Sequence, residues 1–524
     1  MSKYKKVLII LILFLFSLLI CIDALSAPFW GGADIWSNLL PVLHYRQSIL
    51  TEHTFPWYTN LWYGGRYQWQ NPLWSFLYIP STAIWLIFPL GLATKIVIFG
   101  HVFLILCSGW FLSGLFLDHH VLRLSAAIIF GAPIATALIP GHIEMIMSWP
   151  WVLAGIYFLM NTKYTPTRRG LLAGFCVGIV ALTGANYYVF YMMILLGLLL
   201  ISFLDGKIVS GFFKGSLIGL LHLPSVWFLI GRTRADPLSS ISQYKTTFLG
   251  LFNGLFLGIG NINWESSAVI GLPFLCLFFY FLYVHIRNHI NHIADDNNRQ
   301  KICLLIAILC FSLLATGVLY QGQHFLDTFR IQVRAIVFAA LSFILYVFYS
   351  IQPNIRTTVL SSRNFFISGL IILAAFQAGM TWWLRRPMGT EYQINNSGAK
   401  ELAIFLKSRG AESVWFSYNE LDDGIIDDAL TEEGIALPNV YYGDMHQSVP
   451  IIGQFCGFSF DYLVQEKSAF QEKSITLRSD VDPRPILGKI PMDQVIYLNS
   501  FNVVGKQYNV YKVICSPSYR ELIK

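Results

Sequence analysis

The sequence predicts an all-α polytopic membrane protein of about eleven transmembrane helices, followed by a small soluble α+β domain. Three observations lead there. Of the 524 residues, 55% are hydrophobic and only 12% are charged, and soluble domains carry about 25% charged residues. The hydrophobic residues gather into runs nearly free of charge, such as 7–22, 93–117, 188–204 and 301–319. A bilayer core about 30 Å thick takes about 20 such residues as a helix, and only helices satisfy their own backbone there. Past residue 385 the charged residues return and short alternating segments replace the long runs.

The chain starts with Lys3, Lys5 and Lys6 ahead of an apolar run. This is a cytoplasmic flank followed by an outward-going helix over 7–25. Ala24-Leu25-Ser26-Ala27 resembles a signal-peptidase site. The run is long for a signal-peptide core, so retention as the first helix is expected. Further spans are expected at 93–117, 123–140, 145–160, 171–185, 187–204, 211–230, 267–286, 302–320, 334–351 and 364–384. The stretch 73–90 is apolar but broken by Pro80 and Pro89, which predicts an interfacial or re-entrant segment.

Charge sets the orientation. The inner loops hold Arg123; Lys163, Arg168 and Arg169; Lys207 and Lys214; Arg287, Arg299 and Lys301; Arg356 and Arg363. The outer loops are poorer in Lys and Arg, as the positive-inside rule requires. An odd number of spans then places the tail outside. The domain boundaries follow: 1–384 is the membrane domain, with 26–72 as its first extracytoplasmic loop, and 385–524 is a soluble extracytoplasmic domain. In the tail a helix is expected over 399–408 and strands over 413–418, 440–442 and 507–514.

The net charge of +7 does not point to nucleic acid, because no basic stripe interleaves with aromatics. Cys21, Cys107, Cys176, Cys276, Cys303 and Cys310 fall in apolar runs and read as small hydrophobes. Cys456 and Cys515 lie in the tail, where a disulfide is one option in an oxidising compartment. No C-x-x-C or His-rich spacing supports a structural zinc site.

The first outer loop is rich in aromatic, Gly and Pro residues: Trp30, Gly31-Gly32, Phe55-Pro56-Trp57, Trp62-Tyr63-Gly64-Gly65, Trp69 and Asn71-Pro72. Asp34 stands at its start. Three further outer features carry ionisable groups: Gly141-His142-Ile143-Glu144, Glu265, and the pair Arg330 and Arg334. All emerge at one membrane face on this topology, and ionisable groups at membrane depth are costly and tend to be functional. A sugar carried on a lipid phosphate would need a carboxylate to take the acceptor's proton and guanidinium groups for the charge on the departing phosphate. Asp34 with Arg330 and Arg334 meets that minimum.

Plainer readings stand beside each. Asp34 also suits a helix N-cap. His142 and Glu144 suit a polar turn, an acceptor contact or a metal site short of ligands. Glu265 suits an exposed loop. Arg330 and Arg334, like Arg232 and Arg234, suit snorkelling to headgroups. His101 and His222, inside apolar runs, read as core histidines with partners between helices.

The ordered set resembles the GT-C superfamily of membrane glycosyltransferases, in particular bacterial YfhO-type membrane proteins. The residues that carry it are Gly32-Ala33-Asp34, Pro41, Phe55-Pro56-Trp57, Gly64-Gly65, Asn71-Pro72, Gly141-His142, Glu265 to Gly271, and Arg330 to Arg334. The resemblance covers about residues 30–340. It implies a multi-pass protein of the bacterial cytoplasmic membrane. It implies inverting transfer of a sugar from a polyprenyl-phosphate-linked donor to an extracytoplasmic cell-envelope acceptor, whether glycan, lipid or protein. Asp34 takes the role of catalytic base, and His142, Glu144, Glu265, Arg330 and Arg334 are the substrate-binding candidates. No cofactor is implied, with a divalent metal left open. Ile35 stands where relatives often have a second acid, and Gln332 where they often have proline. The competing functions are a transporter or flippase for a lipid-linked glycan and a non-enzymatic assembly factor.

Overall fold

The computed structural model describes residues 3–26, 29–30, 42, 45–51, 53–56, 58–59, 66–67, 75–138, 142–222, 246–257, 268–291, 297–318, 332–355, 362–384, 389–390, 397–411, 414–417, 430, 433, 435, 462–466, 474–478, 486–491, 495–503 and 506–513. The chain divides into two compact units. One comprises 1–26, 72–84 and 92–388, and the other 27–71, 85–91 and 389–524.

In the first unit the apolar runs are helices. They are α1 (Lys3–Ser26), α2 (Ile79–Ile87), α3 (Leu90–Ser113), α4 (His120–Gly131), α5 (Ile143–Met160), α6 (Pro166–Leu182), α7 (Asn186–Phe203), α8 (Gly206–Ser216), α9 (Phe248–Phe252), α10 (Leu272–Ile290), α11 (Asn298–Ala315), α12 (Ile336–Ile355) and α13 (Ser362–Leu384). Five described helices are long and apolar enough to cross a membrane unaided: Val7–Ser26, Leu90–Ser113, Ile143–Met160, Asn298–Ala315 and Asn364–Leu384. Large apolar side chains stand exposed along α1, α10 and α13, among them Val7, Phe279 and Phe376. Such faces suit lipid rather than water.

Two expected spans differ in detail. The one expected over 123–140 is α-helical only to Gly131 and continues as a 3-10 helix over Ala132–Leu138. Pro133 supplies no N–H for an α-type bond, and the tighter winding absorbs that loss. The one expected over 211–230 begins earlier, as α8, and tightens into a 3-10 segment over Leu217–His222. The segment containing Pro80 and Pro89 forms only the nine residues of α2. At 1.5 Å per residue that is about 14 Å, too short to span.

Packing in this unit uses two kinds of contact. Helix α6 meets α8 and the 3-10 segment after it backbone to backbone, along Gly170, Gly174 and Gly178 on one side and Gly211, Gly215 and Gly219 on the other. A Cβ at Gly174 would run into Phe212 O, and one at Gly215 into Leu171 O. This is the small-residue spacing by which helices approach closely in a bilayer, where oil surrounds them and burial of apolar area drives little. Elsewhere aromatic rings fill the space. Trp149 of α5, Tyr188 of α7 and Phe338 of α12 meet with centroids 5.4–5.9 Å apart.

The core histidine expected at 101 is there, fully bonded. His101 Nδ1 donates to Val97 O at 2.6 Å, and its Nε2 pairs with Tyr78 Oη at 2.8 Å. Trp151 Nε1 donates to the same hydroxyl at 2.9 Å. The backbone acceptor fixes the proton on Nδ1, so Tyr78 donates to Nε2, and every polar group in the chain of bonds is satisfied.

In the second unit the tail forms α14 (Ser397–Ser408) and a mixed sheet. Its strands are β5 (Val414–Ser417), β6 (Tyr462–Glu466), β9 (Val495–Val503) and β10 (Lys506–Val513), in the order β5-β6-β10-β9. Only β5 and β6 are parallel. Helix α14 ends on Gly410, whose φ of +74° turns the chain back so that Ala411 N–H bonds Leu406 O, as a left-handed cap does. The helix packs on β9 through Phe405 and Phe501, centroids 5.2 Å apart. A separate hairpin joins β7 (Ser474–Arg478) to β8 (Ile486–Pro491). The helix and the strands around 413–418 and 507–514 match expectation. The strand expected at 440–442 lies outside the described residues, and β6 to β9 are additional.

The first loop contributes to this second unit. Strand β1 (Phe29–Trp30) pairs antiparallel with β4 (Gly389–Thr390) at the start of the tail, and β2 (Tyr58–Thr59) pairs with β3 (Arg66–Tyr67).

Candidate functional site

Helix α5 begins immediately after His142, α7 begins at Asn186, and α12 follows the 3-10 turn Gln332–Ala335. These three starts converge. Arg334 Nη2 lies 3.3 Å from His142 Nε2, and its guanidinium sits over the Tyr187 ring, 5.3 Å from the centroid. His142 Nδ1 lies 2.8 Å from Glu144 Oε1. Arg334 and Glu144 are buried, at 7% and 6% exposure.

The hydrogen-bond chemistry assigns the protons. A guanidinium offers only donors, so His142 Nε2 is the acceptor. Nδ1 therefore carries the single ring proton and donates it to the Glu144 carboxylate. The imidazole is neutral and held from both sides. Glu144 Oε2 is buried with no hydrogen-bond partner among the described residues.

The site is electropositive for a structural reason. Each helix start presents N–H groups without intrahelical partners and the positive end of a dipole. Neither α5 nor α7 has a side-chain cap. Arg334 adds a full charge at the same place. Glu144, in the first turn of α5, is the described carboxylate that offsets it. Three helix starts and a buried guanidinium together suit an anion with several acceptor oxygens, such as a phosphate.

Beside the charges lies a buried aromatic cluster. Trp149, Tyr188 and Phe338 are buried, and so are Tyr191 and Phe311, which extend the cluster. Trp149 Nε1 bonds Phe130 O at 3.1 Å, which ties the cluster to α4. The low polarity of the cluster strengthens the electrostatics beside it.

Of the residues singled out in the sequence, His142, Glu144 and Arg334 come together here. Asp34, Gly141, Glu265, Arg330, Arg232, Arg234, Cys456 and Cys515 lie outside the described residues. No group of three or more His, Cys, Asp or Glu side chains suited to a metal occurs among the described residues. Sequence reasoning missed Tyr187 and Tyr188. Their signal was a Tyr-Tyr pair opening an apolar run, which marks the interfacial end of a span.

No protein-family model matches the sequence, and no curated protein matches it. Solved structures do. The structure is similar to the arabinofuranosyltransferase AftD from Mycobacteria, at 11% identity and a TM-score of 0.56, covering 98% of this chain and 40% of that one. It is also similar to the oligosaccharyltransferase of Archaeoglobus fulgidus. The apo form gives 12% identity and a TM-score of 0.51 over 89% of this chain and 70% of that one. The complex with zinc and sulfate gives 11% and 0.51 over 87% and 68%. The chain thus spans about 40% of the length of AftD. The chain shares its fold with these two membrane proteins.

Proposed function

We propose that the protein is an inverting glycosyltransferase that moves a sugar from a polyprenyl-phosphate-linked donor to an extracytoplasmic cell-envelope acceptor. The observation that carries the reading is the buried Arg334 at the meeting point of three helix starts. Sugar transfer from a lipid phosphate builds negative charge on the bridging oxygen as the bond to the anomeric carbon breaks. A fixed guanidinium and helix dipoles aimed at that charge lower the barrier. Both neighbouring structures are of sugar-transferring enzymes, as arabinofuranosyltransferase and oligosaccharyltransferase, which supports the reaction class.

In this scheme the acceptor hydroxyl attacks the anomeric carbon and its proton passes to Asp34. The glycosidic C–O bond forms as the C–O bond to phosphate breaks, and polyprenyl phosphate leaves with the electron pair. Arg334, with Arg330, receives the phosphate. His142, Glu144 and Glu265 complete the donor side. The membrane domain, 1–384, performs the chemistry, and the tail, 385–524, is extracytoplasmic. A cluster at helix starts, rather than at the middle of broken helices, favours an enzyme over a transporter.

The test is release of polyprenyl phosphate from polyprenyl-phosphate-linked hexoses and pentoses, using membranes that contain the full chain. Asp34→Asn is expected to slow release about 100-fold or more, as loss of a general base does. Wild-type release by that variant would remove Asp34 from the mechanism.

A further inference from the structure

The site described above leaves His142 and Glu144 without a stated way of acting, and their geometry supplies one. We infer that Glu144 and His142 form a positioning relay that aims the Arg334 guanidinium at the donor phosphate, with His142 as a neutral bridge rather than an acid, a base or a metal ligand. This rests on the reading of Arg334 as the phosphate-binding group.

Both ring nitrogens of His142 are engaged. Nδ1–H donates to Glu144 Oε1 at 2.8 Å and Nε2 accepts from Arg334 Nη2 at 3.3 Å. A proton shuttle needs one nitrogen open to the reacting atom, and a metal ligand needs a lone pair that Arg334 is already using. The carboxylate–imidazole–cation order is the one in which an outer carboxylate fixes the tautomer of a histidine that holds a metal. Here a guanidinium takes the cation's place.

Arginine gives such an arrangement a reason. Its side chain carries about 2 kcal/mol of rotamer entropy, which a phosphate would otherwise have to overcome on binding. The Tyr187 ring lies beneath the guanidinium and restricts its position over the ring. The hydrogen bond that it donates to His142 Nε2 restricts its rotation. His142 in turn is fixed by Glu144, two residues on in the same helix start. The group that meets phosphate is oriented before the phosphate arrives.

The experiment compares two probes, decaprenyl phosphate and decaprenol, binding to the full chain in lipid nanodiscs. Their affinity ratio isolates recognition of the phosphate from the fit of the chain. In His142→Ala the preference for the phosphate is expected to fall about tenfold, the size of one charge-assisted hydrogen bond. Decaprenol affinity should be unchanged. His142→Gln, whose amide can accept from Arg334 and donate to Glu144, should stay within about threefold of wild type. Rescue by Gln separates positioning from a folding defect. Wild-type preference in His142→Ala would overturn the relay. So would a Glu144→Gln protein that binds decaprenyl phosphate normally yet releases none from a sugar-linked donor, since Glu144 would then be the base. Arg334→Gln reports on the underlying reading alone. If it keeps the full phosphate preference, the phosphate assignment fails, whatever the histidine variants do.

Discussion

Helices α5 and α7 have a buried arginine at each end, and the two arginines meet them from opposite poles. Arg334 sits where the three helices start. Arg169, in the first turn of α6, sits where two of them finish. Its Nε donates to Leu159 O in the last turn of α5 at 2.8 Å, and its guanidinium lies over Phe203, the last residue of α7, 4.6 Å from the centroid. Helix C-termini present unpaired carbonyls and the negative end of the dipole. A cation is at home there. At the starts the helix dipoles oppose it, and Glu144 faces it through His142. On the proposed reading, the same residue type is a structural cap at one end and the phosphate-binding charge at the other.

Exchanging each arginine for glutamine tests that contrast most strongly. Arg334→Gln is expected to cost about 100-fold in transfer, the range seen when one donor to a developing oxyanion is removed. Loss of Arg334 also leaves the buried Glu144 carboxylate without its counter-charge, so turnover is read per folded protein. Arg169→Gln should cost stability alone. It loses a charge-assisted bond to a helix-end carbonyl and a cation–π contact, about 2 kcal/mol together, read by unfolding in mixed micelles. The folded fraction should transfer sugar at the wild-type rate. A matching loss of turnover in both variants would erase the distinction.

A second test moves to the scaffold beside Arg169. Gly174→Ala places a methyl against Phe212 O, so α6 and α8 must separate. The expected cost is about 2 kcal/mol, as for overpacking a tight interface. The effect should track Arg169→Gln, with stability lowered and turnover in the folded fraction intact. Loss of phosphate preference instead would mean that strain at this interface reaches the helix starts.

These two ends were unequally legible in the sequence. The spans were readable because twenty apolar residues in a row admit few structures in a bilayer, and only local chemistry, as at Pro133, altered them. His142 and Glu144 were visible as an outer pair two residues apart. Their link to Arg334 crosses 192 positions, and nothing local encodes such a contact. Arg169 read only as one more inner-loop cation, because burial at a helix end depends on what packs above it. The glycines at 170, 174 and 178 and at 211, 215 and 219 carried a readable four-residue spacing, and it was the partner helix that the sequence did not identify. In the tail, the helix at 397–408 showed its periodicity, whereas β6 and β10 are adjacent only through pairing of distant segments.

The smallest expected effects sharpen the comparison furthest, because both arginines rest on an aromatic ring. Tyr187 lies under Arg334 at 5.3 Å and Phe203 under Arg169 at 4.6 Å. A cation over a ring is worth about 1 kcal/mol in a partly desolvated setting. At the Arg169 end that energy belongs to folding alone, so Phe203→Leu should lower stability by about 1 kcal/mol and leave decaprenyl phosphate binding unchanged. At the Arg334 end the ring also orients the guanidinium on the proposed reading, so Tyr187→Leu should weaken decaprenyl phosphate by about threefold relative to decaprenol. Tyr187→Phe keeps the ring face and should keep the preference. If Tyr187→Phe lost as much as Tyr187→Leu, the hydroxyl rather than the π face would be the contact that matters. Arg334 would then be oriented by hydrogen bonds alone, and the likeness between the two ends would stop at the charge.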